Sequence, residues 1–196
     1  METEIEATFT KIDPTLMRKT LTSIGAVCVQ KERLMRRKIF DFTDARLNAV
    51  NGWVRLRDEG DKVTLAYKQL MDRTVHGMKE VSVTVDDFEL TTTFLESVGL
   101  LPKSYQETKR ESWVLDTAQI EIDTWPWIEP FLEIEASSVE LVQQIAERLG
   151  LNWDQALFGS VENVYQEIYD VTDVEIDGWK VITFSDVPDW LVAKIK

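Results

Sequence analysis

Glu2-Thr3-Glu4-Ile5-Glu6-Ala7-Thr8-Phe9-Thr10 alternates in a way that decides how the rest of the chain is read. Its even positions are acidic or hydroxylic, and Ile5, Ala7 and Phe9 stand between them. Successive side chains of a β-strand point to opposite faces, so the stretch predicts a strand with one polar and one apolar face. The same period of two recurs at residues 53–57, 62–68, 78–86, 105–115, 118–123 and 131–137, and a further strand is expected over 35–42.

Helices interrupt this pattern in few places. Asp13-Pro14 supplies an N-cap and a first-turn proline, Leu16, Leu21 and Ile24 form a stripe, and Gly25 supplies a left-handed stop. Residues 87–98 before Gly99 read similarly, and 160–169 form a fourth candidate. Ser137-Ser138-Val139-Glu140 reads as a capping box before Leu141, Val142, Ile145 and Leu149, stopped by Gly150. Strands outnumber helices and mostly follow one another directly, which predicts an α+β fold with a largely antiparallel sheet.

Composition narrows the function classes. The chain has 196 residues, 44% of them hydrophobic, with a formal net charge of -13. That supports one packed core rather than a disordered chain. No Gly/Ser- or Pro-rich linker and no internal repeat divides it, so residues 1–171 are expected to form one domain and 172–196 a C-terminal extension. No stretch reaches the roughly 18 uncharged apolar residues of a membrane span, and the acidic start is unlike a signal peptide. A cytoplasmic protein with no membrane partner is expected. Cys28 and His76 are each the sole residue of their type. An internal disulfide and an intrachain Cys/His zinc site are therefore excluded, and a metal would be held by oxygen. Cys28, within Ala26-Val27-Cys28-Val29, reads as a small core residue, and His76 beside Gly77 as a solvated hairpin residue. Residues 1–110 carry 18 Lys/Arg and 17 Asp/Glu, whereas residues 111–196 carry 4 and 18. The overall acidity argues against nucleic-acid binding, which needs a broad positive surface. It leaves room for a local basic pocket.

The polar faces of the strands hold that pocket's candidates. On an ordinary half-buried sheet they would face water. Their content suggests otherwise: Glu4 with Glu6, and Glu133 with Glu135, share faces at i, i+2, while other strands present Arg55 with Arg57, Lys68, Glu80 and Arg110. A closed barrel with its charged face inward and helices packed over Ile5, Val54, Leu65, Val81, Val83, Ile134 and their neighbours satisfies both faces. Enclosed carboxylates need neutralising cations, for which Mg²⁺ or Mn²⁺ with oxygen ligands is suited. Arg55 and Arg57 suit bidentate contact with phosphate oxygens and Lys68 a point-charge contact, so a polyanion is the expected partner. Such a set can stabilise charge on a transferring phosphoryl group.

These residues occur in an order that resembles the CYTH superfamily, the triphosphate tunnel metalloenzymes that include class IV adenylyl cyclases, thiamine triphosphatases and inorganic triphosphatases. Glu4-Ile5-Glu6-Ala7-Thr8 lies where the family's ExExK signature belongs. Lys38-Ile39-Phe40-Asp41 with Arg46-Leu47 is similar to its tyrosine-phenylalanine-aspartate strand, and Gly52-Trp53-Val54-Arg55-Leu56-Arg57 to its G-x-x-LRIR strand. Thr64-Leu65-Ala66-Tyr67-Lys68 is similar to the T-x-K strand. Lys79-Glu80, Lys109-Arg110, Ile122-Asp123 and Phe131-Leu132-Glu133-Ile134-Glu135 follow in family order, and the likeness spans about residues 2 to 170.

The resemblance implies an eight-stranded tunnel barrel. It assigns Glu4, Glu6, Asp123, Glu133 and Glu135 to a Mg²⁺ or Mn²⁺ ion, with Glu4, Glu6, Glu133 and Glu135 as the catalytic carboxylates. Arg37, Arg55, Arg57, Lys68, Glu80 and Arg110 fall to a small-molecule triphosphate, with Glu80 either touching metal or orienting an arginine, and Asp123 otherwise a turn residue. The nucleophile is water in a hydrolase or a ribose hydroxyl in an adenylyl cyclase, and a polyanion-binding protein without catalysis is the third class. Thr8 stands in place of the lysine that closes ExExK, and Thr108 in place of the first basic residue of a K-x-R strand unless Lys109 substitutes. Arg37 is the candidate to compensate. Trp125-Pro126-Trp127 reads as packing or as a platform for a base, and Glu175-Ile176-Asp177-Gly178-Trp179-Lys180 as a hairpin, with a short helix after it, covering an edge or a tunnel mouth. A homodimer is left open.

Overall fold

The computed structural model describes residues 1–196. Its strands are β1 (Glu2–Thr3), β2 (Glu6–Phe9), β3 (Val27–Phe42), β4 (Gly52–Asp58), β5 (Val63–Leu70), β6 (Met78–Val85), β7 (Leu100–Leu115), β8 (Ala118–Thr124), β9 (Phe131–Glu135) and β10 (Val181–Ile182). Its helices are α1 (Pro14–Ser23), α2 (Phe88–Ser97), α3 (Val139–Arg148), α4 (Glu162–Ile168), α5 (Asp173–Asp177) and α6 (Asp189–Val192).

The sheet runs β1-β6-β5-β4-β3-β7-β8-β9-β2, with every pair antiparallel. β1 and β2 are two parts of one N-terminal segment. Glu2 pairs with Glu80 at one end of the sheet, and Glu6 with Glu135 at the other. One segment therefore bonds to both ends and joins them, so the strands form eight staves of a ring. Closure removes the free edges that an open sheet would present. Register then sorts the faces. Ala7 opposite Ile134 and Ile120 opposite Ile134 point outward, whereas Glu6 opposite Glu135, Arg37 opposite Arg57 and Lys68 opposite Glu80 point inward.

The apolar outside is covered on two sides. Phe9, Ile120, Ile122, Leu132 and Ile134 are buried under Met17 and Leu21 of α1 and Val142, Ile145 and Ala146 of α3. Phe88 and Leu95 of α2 pack against Phe40, Leu56 and Leu100. Helix starts follow their caps: Asp13 accepts from the amides of Thr15 and Leu16, and Asp87 from Leu90. Cover is absent over part of β6, where Val81 and Val83 are 49% and 56% exposed, against the expectation that helices shield them. No helix is long and apolar enough to cross a membrane.

Three local expectations fail for identifiable reasons. The cap of α3 is Ser138, which accepts from Leu141, so Glu140 falls one position short of a reciprocal box. Cys28 is exposed because β3 extends back to Val27, past the part of the sheet that the helices cover. The stretch read as a hairpin around Asp177-Gly178 is α5, started by a capping box of Thr172 and Glu175 and ending at Gly178. Residues beyond it form β10, parallel to β7, and the expected short helix α6. Trp179, Ile182 and Leu191 pack with Trp125, Phe131 and Tyr165 in a second cluster, so the extension is fastened to the barrel.

Ile134 is fully buried between the ring and its helices. Ile134→Ala is expected to cost about 3 kcal/mol of stability, read from the midpoint of urea unfolding.

Candidate functional site

Closure of the ring leaves a hollow of about 1160 Å³. Its lining follows from strand order. β4, β3 and β7 contribute Arg55, Arg57, Arg33, Arg37 and Arg110, and β5 contributes Lys68. The N-terminal segment, β8 and β9 contribute Glu4, Glu6, Glu121, Glu133 and Glu135. One wall is cationic and the other anionic.

Ion pairs knit the walls where they meet. Lys68 Nζ lies 2.8 Å from Glu4 and 2.9 Å from Glu80, and Arg55 Nη2 donates to Glu80 at 3.4 Å. Burial alone would raise the Glu80 pKa, but Lys68 and Arg55 pull it down to about 2. Glu80 thus orients cations. Arg110 donates through Nε and Nη2 to Asp123 at 2.7 and 2.5 Å, and through Nη2 to Glu133 at 2.7 Å. Arg57 donates to Glu59 at 3.0 and 2.6 Å.

Arg37 is different. Its Nη2 donates to the Thr108 hydroxyl at 2.8 Å, its guanidinium carbon sits 4.6 Å from the Trp125 ring centre, and no carboxylate pairs with it. Burial lowers its pKa well below the ordinary arginine value, and Arg57, Arg55 and Arg110 lower it further. The Nε groups of Arg37 and Arg55 are buried without hydrogen-bond partners. An anion entering here would satisfy donors that the resting protein leaves bare.

Across the hollow the carboxylates crowd together. Burial pushes Glu6 up to about 7, Lys68 opposing this and Glu4 and Glu135 adding to it. Burial and the neighbouring Asp123 carboxylate push Glu133 up to about 8, and burial also raises Glu135. As the side chains lie, no group of three acidic, His or Cys side chains is close enough to hold a metal ion. The donor chemistry nonetheless fits: these are oxygen ligands suited to Mg²⁺ or Mn²⁺, and burial above all makes them hold protons more tightly than ordinary carboxylates.

The structure brings Glu4, Glu6, Arg37, Arg55, Arg57, Lys68, Glu80, Arg110, Glu133 and Glu135 to this one hollow, as the strand faces imply. Asp123 is the correction. It is fully buried behind Arg110, and both of its oxygens are taken by that guanidinium, so it positions a cation instead of offering itself to a metal. Lys109 does not replace Thr108. It lies outside, 4.9 Å from the Phe184 ring centre, because its register places it opposite Leu34 on the outer face. Thr8 is buried opposite Glu133. Trp125 lines the hollow, whereas Trp127 packs on Trp179 and Trp190. His76 is exposed, as expected.

Sequence reasoning passes over Arg33, Glu121 and Glu162, all in the lining, and offers Glu59 only as a partner for Arg55 or Arg57. Arg33 lies four residues before Arg37 and Glu121 two before Asp123, so alternation carried to the strand ends would have found them. Glu59 lies in the β4–β5 turn, where period two stops; it holds Arg57 and accepts from Thr64 at 3.1 Å.

A closed antiparallel barrel whose lumen holds opposed cationic and anionic walls defines the class. The CYTH domain model matches residues 2–169, and the chain belongs to that family. Solved structures share the fold. A conserved hypothetical protein from Pyrococcus furiosus is 21% identical with a TM-score of 0.67, covering 82% of this chain and 99% of its own. A candidate adenylate cyclase from Vibrio parahaemolyticus is 11% identical with a TM-score of 0.73, covering 84% and 98%. A candidate adenylyl cyclase from Hippeastrum, described as having a dominant triphosphatase activity, is 14% identical with a TM-score of 0.58, covering 90% and 95%. No curated protein matches the sequence.

Glu6 and Glu133 bind protons more tightly in the folded state than in the unfolded chain, so their ionisation works against folding. Stability is fullest near pH 4.5 on their account and declines as pH rises through about 7 and 8. With chelator present, the melting temperature is expected to fall from pH 6 to pH 9, and Glu133→Gln to flatten that decline; an equal slope in both proteins would contradict the assignment.

Proposed function

We propose that the protein is a divalent-metal-dependent phosphohydrolase that cleaves inorganic or organic triphosphates held in the hollow. The observation that carries this reading is Arg37, a buried guanidinium without a carboxylate partner, next to Arg55 and facing a wall of crowded, buried carboxylates. Condensed phosphate complements the first wall, and a hard divalent cation the second.

Each residue has a distinct part. Arg37 and Arg55 would take phosphate oxygens with their unpartnered Nε–H groups. Lys68 would add a point charge, while Glu80 keeps it and Arg55 in place. Asp123 fixes the plane of Arg110, so that little reorganisation is needed as charge develops on a transferring phosphoryl group. Glu4, Glu6, Glu133 and Glu135 would hold Mg²⁺ or Mn²⁺, which when bound supplies charge neutralisation and polarisation of a water nucleophile. The ring of strands limits bulk water around these groups, which strengthens every contact among them.

The Thr8 and Thr108 substitutions do not by themselves favour a protein that only binds. Thr108 gives the Arg37 guanidinium an anchoring oxygen, so a cation remains on that side of the lumen. In the cyclase alternative ATP would yield cyclic AMP and pyrophosphate from the same grip, so product analysis separates the two.

With tripolyphosphate or ATP and Mg²⁺ or Mn²⁺, phosphate release without cyclic nucleotide is expected. Glu133→Gln should abolish it with the fold retained by circular dichroism, and Arg37→Met should weaken tripolyphosphate binding by roughly 30-fold, the worth of one charge-assisted contact. Unchanged turnover in Glu133→Gln would refute the proposal.

A further inference from the structure

One end of the hollow is walled by the C-terminal part of the chain, where Ser160, Glu162, Tyr165, Asp173, Ile176 and Asp177 join the lining. The charged groups there are nearly all engaged. Asp173 accepts from Arg73 at 2.6 Å and from Gln166 at 2.8 Å, and Asp177 from Asn48 at 2.9 Å. The Tyr165 hydroxyl donates to the Pro126 carbonyl at 2.9 Å. Glu162 is the exception: no Lys or Arg pairs with it, only Ser160 and its own backbone support the carboxylate, and its Oε2 is shut off from solvent without a hydrogen-bond partner.

This carboxylate lines the same hollow as the anion grip. Trp125 and Tyr165 line it too, with the Arg37 guanidinium 4.6 Å from the Trp125 ring centre and the Tyr165 ring edge-on to Trp125 at 6.5 Å. Tyr165 lies one helical turn beyond Glu162 on α4. A ligand whose phosphates reach Arg37 would therefore extend past Trp125 toward Glu162.

A buried carboxylate oxygen without a donor is costly, and it repels phosphate. What it accepts is an N–H group. We propose that Glu162 determines specificity for the organic end of the substrate, accepting a hydrogen bond from an amino-substituted heterocycle carried by an organic triphosphate. The inference rests on the triphosphate reading above and adds a second recognition point to it. Inorganic tripolyphosphate has nothing to offer this end.

The test is calorimetric titration with three probes in the presence of Mg²⁺: tripolyphosphate, ATP, and ITP, in which an oxo group replaces the amino group of the purine. Wild type is expected to bind ATP at least about tenfold more tightly than ITP, as befits loss of a hydrogen bond to a charged acceptor. Glu162→Gln, whose amide can donate to the oxo group, should bring that ratio close to one, and the ATP-to-tripolyphosphate affinity ratio should fall with it. A general disturbance of the fold would weaken all three probes and leave the ratios standing. Equal wild-type affinity for ATP and ITP, or an ATP-to-ITP ratio unchanged in Glu162→Gln, overturns the role of Glu162 while tripolyphosphate binding upholds the anion grip. Failure of wild type to bind any of the three removes both.

Discussion

The structure depends on keeping many ionised side chains inside a protein. Enclosing charge is costly, and an enclosed carboxylate or guanidinium persists only where opposite charge or hydrogen-bond partners reach it. The barrel meets this with short-range pairs such as Lys68 with Glu4 and Glu80, Arg110 with Asp123, and Arg57 with Glu59. It does not meet it everywhere. Arg37 has no carboxylate partner, and on the opposite side burial holds Glu6, Glu133 and Glu135 above the usual carboxylate range even with Arg110 against Glu133; that contrast is the chemical signature of the site.

Thr108 anchors a cation of the lumen instead of supplying one. The neighbouring strand supplies Arg37, and the threonine hydroxyl accepts from it while the Trp125 ring lies against the guanidinium. Anchoring by neutral groups leaves the positive charge uncancelled, unlike the carboxylate anchoring of Arg57 and Arg110. The difference divides the arginines into those already engaged and those open to an anion.

Period two and the charges it sorts carry the barrel reading, because each strand writes its inward charges at every second position and its outward apolar residues between them. The same rule placed Glu6, Arg55, Lys68 and Glu135 in a shared lumen. It could not say which carboxylate meets which cation, since pairing across a ring depends on register and rotamer, and so Asp123 was read as a ligand rather than a brace. Nor does it apply in turns, where Glu59 lies. Asp177-Gly178 is ambiguous because Asp-Gly serves equally as a hairpin turn and as a helix end; the capping box of Thr172 and Glu175 decides in favour of the helix. The exposure of Cys28 is not legible because an apolar neighbourhood in sequence does not reveal where the covering helices stop.

The N-terminal segment that closes the ring also governs the order of assembly. Its partners lie far along the chain, at residues 78–80 and 132–135. Contacts so distant along the chain carry a loop-closure cost before they return any stabilisation, so the lumen takes shape late in folding. Until β9 is made, Glu4 and Glu6 remain hydrated on an unpaired strand, and its Ile5, Ala7 and Phe9 stay open to mispairing or to a chaperone.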